Sequence, residues 1–142
     1  MPRTAHTILM ADDDPDDCLL AEHALEASGV RGTLLYVEDG EELLDYLLER
    51  GRFKDAGRAA PSVILLDLNM PRVDGREALK EIRSMPRFKD LPIIVFTTSR
   101  EEKDIDFSRK NGANEFITKP PAFSEWVEIM KRLAKKWLGE RD

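Results

Sequence analysis

The chain has one cysteine, Cys18, and two histidines, His6 and His23. A single thiol excludes an intrachain disulfide framework, and so few sulfur and imidazole groups leave a zinc or haem site short of ligands. No apolar run approaches the about 18 residues of a membrane span. The opening MPRTAHTILM is too short and too polar ahead of its apolar run to read as a secretory signal. An excess of basic charge is also missing. The 22 Lys and Arg against 28 Asp and Glu leave a formal net charge of -6, which disfavours nonspecific binding to nucleic acid. These absences point to a reduced, cytoplasmic setting with no membrane contact.

What is present is ample for a core. The 142 residues are 42% hydrophobic and 35% charged, the balance of one globular domain rather than of a disordered chain. Apolar residues alternate between two rhythms. Short runs at Thr7–Ala11, Leu34–Val37, Val63–Leu66, Ile93–Phe96 and Glu115–Ile117 read as strands. The run at 63–66 has no polar alternation, which suits a central parallel strand covered on both faces. Between them lie helical patterns: Leu20, Ala24 and Ala27 up to Gly29; Leu43, Leu44, Leu47 and Leu48 up to Gly51; Arg76–Met85; Glu101–Asn111; and Phe123–Leu138. The stretch from Arg52 to Pro61 reads as a loop, somewhat long for such a unit. Five strands alternating with five helices predict an α/β fold, an open parallel sheet with helices on both faces. No linker, repeat or low-complexity stretch divides the chain.

In such a sheet ligands bind outside the carboxyl ends of the strands. The first strand ends in Asp12, Asp13 and Asp14, inside ILMADDDPDD. Taken alone, that acidic run is either a solvated helix cap or a cation site. Asp14 suits the cap, Pro15 the first helical position, and Asp17 the N3 position near free amides. The third strand ends in Asp67 and continues Leu68, Asn69, Met70, Pro71. The fourth ends in Thr97, Thr98 and Ser99, and the fifth leads to Thr118, Lys119, Pro120 and Pro121. Carboxylates with a backbone carbonyl form a hard oxygen site suited to Mg²⁺, and an ammonium with a hydroxyl can hold phosphoryl oxygens. A carboxylate among them can attack phosphorus. No Gly-x-x-x-x-Gly-Lys-Ser/Thr loop is present, which argues against ATP as the direct donor.

Together MADDD, LLDLNMP followed by Asp74-Gly75, IIVFTTS and GANEFITKP resemble the receiver domain of bacterial response regulators, from Ile8 to about Leu138. The resemblance implies a flavodoxin-like, CheY-like doubly wound sheet of strand order 2-1-3-4-5. It also implies one receiver domain over residues 1–142 with no output domain. By the same resemblance Asp67 is the phosphoacceptor, and Mg²⁺ is held by Asp12, Asp13, Asp67 and the backbone carbonyl of Asn69. Lys119 and Thr97 bind the phosphoryl group, Thr97 and Phe116 form the switch, and Lys119-Pro120 is a cis peptide. Two features depart from the usual pattern: Phe116 lacks a tyrosine's hydroxyl, and Lys119 is followed by Pro-Pro-Ala.

The same resemblance implies a cytoplasmic sensor histidine kinase as donor, and often a homodimer. The DDDPDD opening, TTS and the FSEWVEIMKRLAKKWL ending are similar to small stand-alone regulators associated with phytochrome-type kinases. On the last helix Phe123, Val127, Met130, Ala134 and Trp137 form one stripe. Trp126, Ile129 and Leu133, with Trp137, offer either a partner surface or a wider core contact. Two other functions compete with a phosphorylatable switch that is not a conventional enzyme. A pure scaffold would not need Asp12, Asp13, Asp67, Thr97 and Lys119 together, and an Mg²⁺-dependent phosphatase would need a cap for which the chain has little room.

Overall fold

The computed structural model describes residues 6–54 and 60–139, so residues 55–59 of the expected loop lie outside the described residues. The strands are β1 (His6–Ala11), β2 (Gly32–Val37), β3 (Val63–Leu66), β4 (Ile93–Thr97) and β5 (Glu115–Thr118). They alternate with α1 (Pro15–Ser28), α2 (Gly40–Leu48), α3 (Gly75–Ser84), α4 (Glu102–Lys110) and α5 (Phe123–Trp137). Two single 3₁₀ turns, Gly51–Phe53 and Pro86–Phe88, follow α2 and α3. All pairings are parallel, in the order β2-β1-β3-β4-β5. The chain runs outward from β1 to β2 and then crosses to β3 on the other side. The order therefore reverses between β1 and β3, and a crevice opens at their carboxyl ends.

Side-chain alternation divides the core into two layers. Ile8, Met10, Val63, Leu65, Ile94 and Phe96 face α1 and α5. Leu9, Ala11, Ile64, Leu66 and Ile93 face α2 and α3. Every residue of β3 and β4 is buried, which accounts for the lack of polar alternation in their sequences.

Helix starts are set by side chains. Asp14 is extended and accepts the Asp16 amide at 2.9 Å, with Pro15 opening α1. Asp74 accepts the amides of Arg76 and Glu77 at the start of α3. Gly75 has a tighter duty, because a Cβ there would collide with the Asp67 carbonyl oxygen and the Leu68 Cα. Its amide donates to the Leu68 carbonyl at 3.0 Å. The Asp-Gly pair thus lets α3 start directly against the segment that follows Asp67.

Of the two readings of α5, a partner surface or a wider core contact, the core contact holds for Trp126 and Leu133, which corrects their place on a partner surface. Trp126 and Leu133 are buried in the core with Met130 and Ala134, and Ile129 and Trp137 pack partly buried against the same layer. The helix is turned so that 126, 130, 133 and 134 face the sheet, while Phe123 at its start is exposed. Trp126 fixes this rotation. Its ring meets Phe96 edge-on at 4.9 Å and its indole N–H donates to the Pro120 carbonyl at 2.8 Å.

Candidate functional site

The crevice gathers side chains from four segments. Asp12 leaves the end of β1, its amide donating to the Val37 carbonyl, and Asp67 leaves β3 with its amide on the Ala11 carbonyl. These bonds extend the parallel ladder by one residue and hold both side chains at the same height. Asp12 is 1% exposed and Asp67 7%. One ligand oxygen from each of Asp12, Asp13 and Asp67 lies within 4.8 Å of the others. Asp13 and Asn69 are exposed at the mouth.

Lys119 follows β5, where its amide donates to the Thr97 carbonyl at 2.7 Å. That bond directs the side chain back across the ends of β4 and β3. Its ammonium lies 2.6 Å from Asp12 Oδ2, 2.7 Å from Asp17 Oδ2 and 3.3 Å from Asp67 Oδ2. The expected cis bond at Lys119-Pro120 is a correction, since no cis peptide occurs among the described residues. The backbone bond to Thr97 and the indole bond to Pro120 hold this stretch with the ordinary trans geometry, so the lysine reaches inward without a cis turn. Thr97 is fully buried beside it. Phe116 is half-buried on β5 and lines a cleft of about 110 Å³ with Ile105, Ser108, Arg109 and Ala113.

The electrostatics follow from burial and from an uneven charge balance. Burial pushes the Asp12 carboxyl up to about 6, against the hydrogen bonds from Lys119 and the Asp14 amide that favour its ionised form. Burial alone would depress Lys119, but hydrogen bonds to Asp12 and Asp17 outweigh it and hold the ammonium above its ordinary range. The carboxylates of Asp12, Asp17 and Asp67 share a single ammonium, and Asp13 adds a further carboxylate beside Asp12 and Asp67, which leaves net negative charge. Hard oxygen donors with uncompensated negative charge fit a divalent cation, which Asp12, Asp13 and Asp67 would hold. Cys18 lies under this pocket with its thiol pushed up to about 12, by burial first and then by Asp12, and is no nucleophile.

Sequence reasoning missed two parts. By sequence, Asp17 has only the part of a helix-terminus charge. Its place in the first turn after Pro15 puts it on the same rim, a signal that was available. The second part is an ion network at the α3–α4 corner. Arg76 Nη2 lies 2.8 Å from Asp104 Oδ1, Ser99 Oγ donates to Asp104 Oδ2 at 2.6 Å, and Arg76 also reaches the Leu68 carbonyl. Asp104 and Arg76 are 28 positions apart, and no local pattern pairs them.

Comparison with known proteins agrees with this geometry. The family described as response regulator receiver domain matches residues 8–131. A probable methanogenesis regulatory protein, FilR2 of Methanothrix harundinacea, is 34% identical over 133 residues, covering 93% of this chain and 83% of its own. Response regulator Rcp1 of Synechocystis is 33% identical over 131 residues, covering 92% of this chain and 88% of its own. A crystal structure of its Mn²⁺-bound form superimposes with a TM-score of 0.83 at 31% identity, over 96% of this chain and 97% of that one. The phosphorylated cyanobacterial phytochrome response regulator RcpA superimposes with a TM-score of 0.87 at 37% identity, over 98% of both chains. With the doubly wound sheet, the acidic crevice at its switch point and these likenesses in hand, the chain belongs to the response regulator receiver family, the phosphoacceptor switches of two-component signalling.

Proposed function

We propose that this response regulator accepts a phosphoryl group on Asp67 from a sensor histidine kinase, with Mg²⁺ in the acidic cluster. One observation supports this above others: Asp67 shares a crevice with Asp12, Asp13 and the ammonium of Lys119, all at the carboxyl ends of the strands. An Asp67 carboxylate oxygen attacks the phosphorus of a phosphohistidine. A P–O bond forms as the P–N bond breaks, and the imidazole leaves with the electron pair and takes up a proton. Asp12, Asp13, Asp67 and the backbone carbonyl of Asn69 would hold Mg²⁺, which would supply positive charge against the phosphoryl oxygens. Lys119 neutralises a further oxygen, and Thr97 turns its hydroxyl to the new group. Phe116 follows into the cleft it already lines. Water later cleaves the acyl phosphate, so the chain acts as a switch on itself rather than as an enzyme on a separate substrate.

The likeness to RcpA, a cyanobacterial phytochrome response regulator, supports a phytochrome-type kinase as donor; a homodimer as the working form is part of the same proposal. The receiver domain would signal through protein contacts on a surface that changes with phosphorylation. The net charge of -6 argues against nucleic acid as the target. Among the described residues no helix is long and apolar enough to cross a membrane, in keeping with a cytoplasmic site of action.

The test is intact mass spectrometry after incubation with a small phosphoryl donor and Mg²⁺, or with candidate kinases. A gain of about 80 Da, one phosphoryl group, is expected in the parent and not in Asp67→Asn. A gain that persists in Asp67→Asn would move the acceptor elsewhere. No gain from any donor would leave a metal-binding scaffold.

A further inference from the structure

Lys119 is shared unequally. An ammonium has three N–H donors, and here they meet three carboxylates, two at short range and Asp67 at 3.3 Å. The second short partner, Asp17 Oδ2 at 2.7 Å, stands in the first turn of α1. Asp17 does not cap that helix, because Asp14 does. It also stands outside the group of Asp12, Asp13 and Asp67 whose oxygens converge within 4.8 Å. Its side chain is 24% exposed while that of Lys119 is 5% exposed, so Asp17 faces water on one side and the buried ammonium on the other. Such a carboxylate can give up its partner to water at small cost, which the buried Asp12 cannot.

Building on the reading of Asp67 as phosphoacceptor, we infer that Asp17 is a positioning residue that holds the Lys119 ammonium back from Asp67 until a phosphoryl group arrives. A phosphoryl group on Asp67 brings more negative charge to that corner than the carboxylate alone, and it draws the ammonium across. Lys119 then exchanges its Asp17 bond for a phosphoryl oxygen and keeps Asp12. Asp17 therefore tunes how readily the phosphorylated arrangement forms. Its exposed neighbour Asp16, whose amide is turned to Asp14, has the same charge and no part in this exchange.

The probe is beryllofluoride, a phosphoryl mimic, titrated calorimetrically in Mg²⁺ against the full chain. Asp17→Asn removes the competing charge, and it is expected to bind the mimic about threefold to tenfold more tightly, the range of one ordinary net hydrogen bond, since Asp17 is partly open to water. Asp16→Asn removes an equal charge without a bond to Lys119, and Asp17→Glu keeps the carboxylate; both are expected to stay within about twofold of the parent. Should Asn disturb the helix start, Asp17→Ser suits that turn and carries the same expectation. Binding unchanged in Asp17→Asn and Asp17→Ser, or an equal shift in Asp16→Asn, overturns the inference and leaves the phosphoacceptor reading intact. A parent that neither binds the mimic nor gains mass removes that reading, and this inference with it.

Discussion

Two carboxylates expose almost no surface, and yet their carboxyl groups are shifted in opposite directions. Asp12, in the crevice, is 1% exposed, and Asp104, at the α3–α4 corner, is 4% exposed. Burial penalises the ionised form of both. In Asp12, set deeper in the protein, it wins over the hydrogen bonds from Lys119 and the Asp14 amide, and the Asp67 charge adds to the rise, while the one nearby ammonium is also shared with Asp17 and Asp67. In Asp104 it loses. The Ser99 hydroxyl and the Arg76 guanidinium serve Asp104 on both its oxygens, and together they hold its carboxyl below the ordinary range. The corner is a satisfied structural network, whereas the crevice keeps excess negative charge that a cation can relieve. Burial of a carboxylate therefore does not mark a functional site; the shortfall in its compensation does.

The largest expected effect lies at the satisfied corner. Arg76→Ala leaves the Asp104 charge buried with only the Ser99 hydroxyl, and it should cost roughly 2–4 kcal/mol in thermal or denaturant unfolding. In Asp12→Asn the buried carboxylate is gone, and the metal-free protein should unfold no more easily than the parent. A corner variant as mild as the crevice variant would erase the distinction.

The pH dependence sharpens it further. Asp104 is depressed from 3.8, so its contribution is present above that value and is lost as the pH falls through its lower folded-state value. Asp12 is raised from 3.8 to about 6, so the stability it favours is present below 3.8 and is lost as the pH rises through about 6. With a chelator present, Asp104→Asn should flatten the acid limb of the stability profile, and Asp12→Asn the fall between pH 4 and about 6. Unfolding titrations from well below pH 3.8 to above about 6 check both slopes.

The smallest effect belongs to an intermediate case at the start of β5. Burial disfavours the Glu115 charge, but Trp137, Arg132 and Lys136 offset this and hold its carboxyl below the usual range. Arg132 and Lys136 are half exposed, so water screens them. Glu115→Gln should cost about 0.5–1 kcal/mol, and less as salt is added. A loss matching that of Arg76→Ala would show that exposure of the cations does not matter.

Much of this was legible in the chain. The apolar run Val63–Leu66 reads as a doubly covered strand and is one, because burial on both faces leaves no polar alternation. Asp14-Pro15 announces a helix start because capping is a local act of a few atoms. Asp12, Asp67, Thr97 and Lys119 were legible as rim residues because each directly ends or follows a strand. Other features depended on rotation and distance. On α5 the sequence offers apolar residues on two adjoining strips, and periodicity alone does not say which one meets the sheet. The edge-on contact between Trp126 and Phe96 decides it. The partners of Asp104 come from another helix and a loop.

The sequence by itself determined the order of strands and helices, their caps and the collection of carboxylates and one lysine at the strand ends. Those follow from local periodicity and from the chemistry of neighbouring residues. Only the tertiary structure decided which of those charges are compensated. It places Lys119 nearer to Asp17 than to Asp67, ties Asp104 to Arg76 and turns Trp126 inward. The physical reason is that Coulomb and hydrogen-bond energies depend on separations of a few tenths of an ångström between residues as much as 107 positions apart, and packing fixes those separations.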